Sequence, residues 1–412
     1  MKKVLIIDER FPSTGGSRTE KFVKYLPQFG WEPIVLTIDQ IGRNPFAEEL
    51  LNNYSGPRPK IYGTKTLPNF SILKKFNLQR IGGYLNSFFF VPDVTVAWLP
   101  YAIEEGLKII HRESPQIIYS TSPSEGVHLV ARFLKKKSGL PWVADFRDLW
   151  TLYEKRYNPP TSFHHLVNTY IEKSIYLRWS DFIIANTPHN KAMLCKHFSV
   201  DSSKLEVITN GFDPDDALKP EQRNEIKEKM TLGYFGGLEK HAICYQEFLA
   251  GFERALRLEK GISLNLWSAI SDQLKSDFQE NGLNRHITLK PCVSHQQGMK
   301  ELGGADVLVV LLANGYPHVV PQKLYNYLAL NKPILAIVPP NGYAASIVQE
   351  TNSGVVVSPD DISGIADSLT ELHEQWRSGS FGIKVNDAAV RKYRRDELTR
   401  KLSVVFDNIQ SG

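Results

Sequence analysis

The chain has 412 residues, of which 42% are hydrophobic and 23% charged, with a net charge of +5 and a pI near 8.8. This length suits two domains with substantial cores, and the mild basic excess is too weak to argue for nucleic acid while fitting anionic substrates or an anionic membrane surface. Cys195, Cys244 and Cys292 are far apart, make no metal-ligand spacing and read as reduced thiols, and no run reaches the roughly 20 apolar residues of a membrane span.

Residues 4–7, Val-Leu-Ile-Ile, read as a buried first strand, with too short an apolar run for a signal peptide. A loop over 11–17 leads into a helix with Phe22, Tyr25, Leu26 and Phe29 on one face; Gly30 ends it, and 33–37 is the next strand. This β-loop-α-β order is a Rossmann-like start without the Gly-x-Gly-x-x-Gly of a dinucleotide site. Gly15 and Gly16 either make a turn or let a substrate approach the backbone at a helix N-terminus. Residues 72–91 are basic and amphipathic, with Lys74, Lys75 and Arg80 among Phe76, Ile81, Tyr84, Leu85 and Phe88. Such a helix packs inside a domain, which is the expectation here, or lies on an anionic membrane.

Residues 116–119 are a strand, and Ser124 is placed to cap a helix over 125–137. The strand 141–144 runs into Asp145-Phe146-Arg147-Asp148-Leu149-Trp150. Three charges directly after a buried strand sit where open α/β sheets place their sites; a structural pair between Arg147 and an aspartate is the plainer alternative. The strand 181–187 closes this half, and 214–229 reads as a charged linker, which discounts Asp213-Pro214-Asp215 as a metal site. A second set of strands covers 231–235, 262–266, 287–290, 307–312, 334–338 and 354–357, the first followed by Gly236, Gly237 and Lys240. In the stretch 318–337, Pro321 fits the first helical position, Leu324, Tyr327 and Leu328 face a core, and Asn331-Lys332-Pro333 stops the helix. The open N-terminus at Val320, Pro321, Gln322 and Lys323 suits a phosphate; the alternative is an ordinary α/β unit with a surface lysine.

These segments resemble family 4 glycosyltransferases, retaining enzymes of the GT-B fold. Pro321, Lys323, Leu324, Tyr327, Leu328, Ala329 and Pro333 match the family's nucleotide-sugar motif, with Asn326 where the family has a ribose-holding glutamate and His318 at its earlier acidic position. The Gly15-Gly16 loop and the run from Val207 to Asp213 follow the family pattern. Pro141-Trp142, Asp145-Phe146-Arg147-Asp148 and Trp150 follow that of a subset, with Arg147 in place of an acceptor-contacting histidine. The resemblance implies an α/β protein of two Rossmann-like α/β/α domains facing a central cleft. Residues 1–212 would be the acceptor domain, 213–229 a linker, 230–390 the nucleotide-sugar domain, and 391–412 a helix crossing back to the first domain through Tyr393, Leu398, Leu402 and Phe406. It implies Arg147, Asp148, Lys240 and Lys323 as catalytic, with Gly15, Gly16, Asp145, Gly236, Gly237, Val320, Pro321, Gln322 and Asn326 binding substrate.

The expected reaction moves a sugar from a nucleotide diphosphate sugar to an acceptor hydroxyl with retention, in cell-surface polysaccharide or glycolipid synthesis, without cofactor or metal. The expected partners are that donor and a sugar or lipid-linked acceptor, with no nucleic acid. The expected location is the cytoplasm, with peripheral contact of 72–91 with the inner face of a bacterial membrane as the alternative to internal packing. Two rivals stand beside it. One is a non-catalytic GT-B nucleotide-sugar-binding protein, favoured by Asn326 and His318; the other is a GT-B epimerase or phosphorylase.

Overall fold

The computed structural model describes residues 1–12, 18–39, 58–153, 157–216, 228–239 and 242–411. The chain divides into two units, Met1–Thr209 with Leu398–Gly412, and Asn210–Glu397.

In the first unit the described strands are β1 (Lys2–Ile7), β2 (Trp31–Ile38), β3 (Lys60–Thr64), β4 (Ile117–Thr121), β5 (Trp142–Phe146), β6 (Phe182–Ala185) and β7 (Leu205–Val207). They form one sheet in the order β3-β2-β1-β4-β5-β6-β7, and every neighbouring pair is parallel. A parallel sheet needs cover on both faces, and alternate side chains of each strand supply the two contacts. Leu5 and Ile7 pack with Ala102, Val127, Val130 and Leu134 from helices on one side. Val4 and Ile6 pack with Phe22 and Val23 of the first helix, and with Leu402 and Phe406 near the chain end, on the other. The last helix, Arg395–Ser411, belongs to this unit from Leu398 on. Its Phe406 ring lies 5.2 Å from Trp31, and Asp407 accepts from Lys2 Nζ at 2.7 Å and from Trp31 Nε1 at 3.2 Å.

The second unit repeats the plan. Its described strands are β8 (Met230–Phe235), β9 (Ile262–Trp267), β10 (Ile287–Leu289), β11 (Val307–Leu311), β12 (Ile334–Ile337) and β13 (Gly354–Val357), in the order β10-β9-β8-β11-β12-β13 and again all parallel. One face is covered by Phe248, Phe252 and Leu369, the other by Leu324, Tyr327 and Ile347. Strand order reverses between β1 and β4 in one sheet and between β8 and β11 in the other, and the carboxyl ends at such a reversal open a crevice suited to ligands.

One expectation fails. The stretch 72–91 does not pack inside the unit. It forms a helical hairpin, Phe70–Phe76 followed by Gln79–Phe89, in which Gly82 is the buried residue. Helical periodicity identifies an apolar stripe but not what covers it. No helix among the described residues is long and apolar enough to cross a membrane.

Backbone packing is tightest where β13 starts beside β12. A β-carbon on Gly354 would lie 1.8 Å from the carbonyl oxygen of Ile334. Gly354→Ala must push two hydrogen-bonded strands apart, and we expect a loss of roughly 3 kcal/mol, read by denaturant unfolding.

Candidate functional site

Each unit presents a polar cluster at its strand reversal. In the second, the backbone leaves β8 at Gly236 with φ 113°, a conformation that favours glycine. Lys323 Nζ lies 3.7 Å from the position of a β-carbon on that glycine and 3.6 Å from the centroid of the Tyr234 ring, a cation–π contact that holds the ammonium at the strand end. The tyrosine hydroxyl donates to the Gly237 carbonyl at 2.9 Å, and the Phe235 N–H donates to Tyr327 Oη at 3.1 Å.

The helix beside them is Gln322–Leu330, one residue later than the sequence suggests. Pro321, with ψ 133°, is its N-cap and supplies no side-chain acceptor. Val320 and Pro321 flank this N-terminus half-buried. Gln322 Nε2 donates to the Gly211 carbonyl at 2.9 Å and to Asn326 Oδ1 at 3.2 Å, fixing the helix start to the crossover segment. The structure therefore brings Gly236, Gly237 and Lys323 together, with Gln322 and Asn326 paired along the adjoining helix. An ammonium, a glycine turn and a helix N-terminus make a site for an anion. Lys240, expected here as well, lies outside the described residues.

The first unit is built around Asp145, which is an internal residue and not a surface ligand. Its ion-pair partner is Arg18 and not the neighbouring Arg147. Arg18 Nε and Nη2 donate to the two Asp145 oxygens at 2.8 and 3.2 Å, while Nη1 and Nη2 donate to the carbonyls of Thr209 and Ile208 at 2.6 and 2.7 Å. The Tyr119 hydroxyl and Thr121 Oγ1 donate to the same carboxylate at 2.5 and 3.1 Å. Burial opposes the Arg18 charge, but Asp145 outweighs it and the guanidinium pKa is raised; burial also drives the Tyr119 hydroxyl well up, so it stays a donor. Gly15 and Gly16, which precede Arg18 in the chain, lie outside the described residues.

Above this pair the strand ends carry carboxylates. Asp8 accepts from Thr19 Oγ1 at 2.5 Å and from the Arg10 N–H at 3.0 Å; burial raises its pKa, and the charge of Arg147 is among the influences that oppose the rise. Glu9 accepts from Arg10 Nε at 2.9 Å, from Thr95 Oγ1 at 2.6 Å and from the Ser124 hydroxyl. Ser124 is thus committed to Glu9 and does not cap the following helix, Gly126–Ser138. Asp93 takes that place, accepting from the N–H groups of Glu125 at 2.5 Å and Gly126 at 3.3 Å with one oxygen and from the Thr95 N–H at 2.8 Å with the other. Burial raises the pKa of this carboxyl too.

A cavity of about 260 Å³ opens here, lined among others by Asp93, Ser124, Glu125, Asp148, Trp150 and Tyr157. Of the expected residues Asp148 lines it, while Arg147 is half-buried next to it in sequence. Carboxylates, hydroxyls and aromatic walls together suit a hydroxyl-rich ligand. Sequence reasoning missed Glu9, Asp93, Glu125 and Tyr157. Asp93 had a readable signal, since an aspartate two before Thr95 is a cap spacing. Behind the wall, the Thr151 N–H donates to Glu172 Oε2 at 3.1 Å and its hydroxyl donates to the same oxygen. Glu172 Oε1 has no hydrogen-bond partner among the described residues, and burial pushes this carboxyl up to about 7.

The sequence model of Glycosyltransferase Family 4 matches residues 16–216. Solved structures similar over nearly the whole chain include a glycosyltransferase from Rickettsia africae, at 15% identity and TM-score 0.68, covering 99% of this chain and 98% of that one. Sucrose-phosphate synthase from Thermosynechococcus elongatus matches at 14% identity and TM-score 0.66, with 100% of both chains covered. Anabaena HepE in complex with UDP and glucose matches at 13% identity and TM-score 0.66, covering 99% and 100%. No curated protein sequence matches the chain. The fold is GT-B, and the family match together with it supports a glycosyltransferase.

Two outcomes follow from this geometry. Asp145→Asn leaves the Arg18 charge buried without its counter-ion, and we expect a loss of about 3–5 kcal/mol, whereas Arg18→Met with Asp145→Leu recovers much of it in the same unfolding assay. For Glu172, the folded pKa near 7 lies above the ordinary value of 4.5. The unfolded chain gives up this proton first, so stability falls as pH rises through that window and is level above it. Glu172→Gln should abolish the fall and gain on the order of 2–3 kcal/mol over wild type at about pH 8, measured by denaturant midpoints at about pH 5 and pH 8.

Proposed function

We propose that the chain is a retaining glycosyltransferase that moves a sugar from a nucleotide diphosphate sugar to an acceptor hydroxyl, in the synthesis of a cell-surface polysaccharide or glycolipid. The observation that supports this reading is the Lys323 ammonium held over Tyr234 against Gly236, beside a helix whose N-cap offers no side-chain acceptor. The charge to be stabilised in such a transfer is that of the departing diphosphate. An ammonium and helix N–H dipoles supply that stabilisation, so the reading calls on no metal and no cofactor. Asn326, one turn along the helix, offers its amide oxygen to a ribose hydroxyl, with Gln322 orienting it at 3.2 Å. Lys240 is assigned the second diphosphate contact.

The acceptor is assigned to the first unit. Asp148 and Glu125 accept from sugar hydroxyls in the cavity, Trp150 and Tyr157 offer ring faces, and Arg147, next to Asp148 in the chain, adds positive charge. Gly15 and Gly16 keep their assigned role beside the substrate. UDP-sugars are the donors to try first, because the HepE structure contains UDP and glucose.

Lys323→Ala should weaken UDP binding on the order of 10- to 100-fold by calorimetry with melting unchanged, since one charge-assisted contact is lost. Release of UDP from the cognate donor should be unaffected by EDTA. Unchanged UDP affinity would remove the phosphate assignment, and tight UDP-sugar binding without transfer or hydrolysis would make the chain a binding protein.

A further inference from the structure

The hairpin Phe70–Phe76 and Gln79–Phe89 is built inside out. Its arms are joined by polar bonds and by one aromatic contact, Phe70 with Phe89 at 5.7 Å. Asn69 caps the first arm through the Ser71 N–H at 2.9 Å, Asn86 Oδ1 accepts from the Phe70 N–H at 3.0 Å, and Asn86 Nδ2 donates to Ser71 Oγ at 3.1 Å. Gly82 lets the arms touch, since a β-carbon there would lie 2.5 Å from the Phe70 carbonyl oxygen. The large apolar side chains face outward instead, Phe76 with 69% of its surface exposed, and Ile72, Ile81, Tyr84 and Phe89 more than half exposed.

A second helix, Ser162–Tyr170, continues this surface. His164 Nε2 donates to the Phe88 carbonyl at 2.9 Å, its Nδ1 is 2.7 Å from the Thr161 hydroxyl, and the His164 and Phe88 rings are 5.1 Å apart. His164 is buried in this joint, while Phe163, Leu166 and Tyr170, at helical spacing, are 70%, 68% and 63% exposed. A contiguous apolar surface of this size on one unit marks a place of attachment.

Charge decides what attaches. Residues 64–92 contain Lys65, Lys74, Lys75 and Arg80 and no acidic residue, and the helix Ser162–Tyr170 contains none either. Protein interfaces are depleted of lysine at their core, whereas aromatic stripes with interleaved lysines and no carboxylates are the composition of helices that lie in an anionic lipid interface. The geometry points to a membrane-docking surface made jointly by the hairpin and the helix Ser162–Tyr170, with anionic lipid as its partner and His164 as the joint that sets the two apolar stripes side by side. This surface is independent of the sugar-transfer reading.

Flotation of the full chain with phosphatidylcholine vesicles, with and without phosphatidylglycerol, tests it. Wild type should float with the anionic vesicles at low salt and be released at high salt. Lys74→Glu with Lys75→Glu should weaken partition on the order of 100-fold. Leu166→Ser with Tyr170→Ser leaves every lysine in place and should weaken it on the order of tenfold, because the second helix contributes buried apolar surface. Circular dichroism and melting of both variants should match wild type, and a Phe76→Trp reporter should shift its emission to the blue on adding anionic vesicles. Folded wild type that stays unbound at low salt overturns the inference. So does binding by Leu166→Ser with Tyr170→Ser equal to wild type, or a solution dimer that this variant breaks in the absence of vesicle binding.

Discussion

A guanidinium and a carboxylate with no exposed side-chain surface meet at the centre of the first unit. Removing two charges from water is costly, and the Arg18–Asp145 pair persists because its remaining hydrogen-bonding capacity is met by two backbone carbonyls and two hydroxyls. The pair joins three distant pieces of chain: the first helix, the end of β5, and the segment just after β7. It also determines which residues are left to face a ligand. With Asp145 occupied by Arg18, the next charged residues past the end of β5 are Arg147 and Asp148, and Asp148 lines the cavity. Asp145 is a foundation for the site above it.

The two units share a topology and differ in chemistry. In one, the strand reversal gathers Asp8, Glu9, Asp93, Glu125 and Asp148, and burial favours the protonated form of Asp8 and of Asp93. In the other, it gathers glycine, a helix N-terminus and a lysine over an aromatic ring. Parallel sheets dictate only that strand ends at the reversal are open; the loops decide the sign of what is placed there. Carboxylates suit hydroxyl-rich molecules, and a lysine beside a glycine turn and a helix N-terminus suits an anion.

Much of this was readable in the linear chain. Apolar runs of four to six residues bounded by glycine, proline and polar turns located the strands of the second sheet and five of the first, and the stretch 318–337 showed its helix, stop and strand in one place; the edge strands β3 and β7, short and partly polar, carry no such run. What escaped was set by distance along the chain. The partner of Asp145 is 127 residues away, and the cap on the helix Gly126–Ser138 comes from Asp93, so local spacing offered only Arg147 as an alternative partner and pointed to Ser124 as the cap. Pro321 was misplaced by one position because the same φ serves a cap and a first helical residue. The stripe over 72–91 was read as internal because a repeat of apolar residues is identical whether protein or something else covers it.

The chain end carries a further consequence, for the order in which the protein takes shape. Phe406, Leu402 and Leu398 cover the face of the first sheet that also holds Val4, Ile6 and Tyr119. A ribosome delivers those three covering residues only after every residue of the second unit, which is contiguous from Asn210 to Glu397. Until they emerge, that face of the first sheet is covered only in part, by residues such as Phe22, Val23 and Leu26 of the first helix and the turn after it. The earliest residues synthesised are among the last to be fully covered, and for that interval part of an apolar sheet face is open to association with other chains.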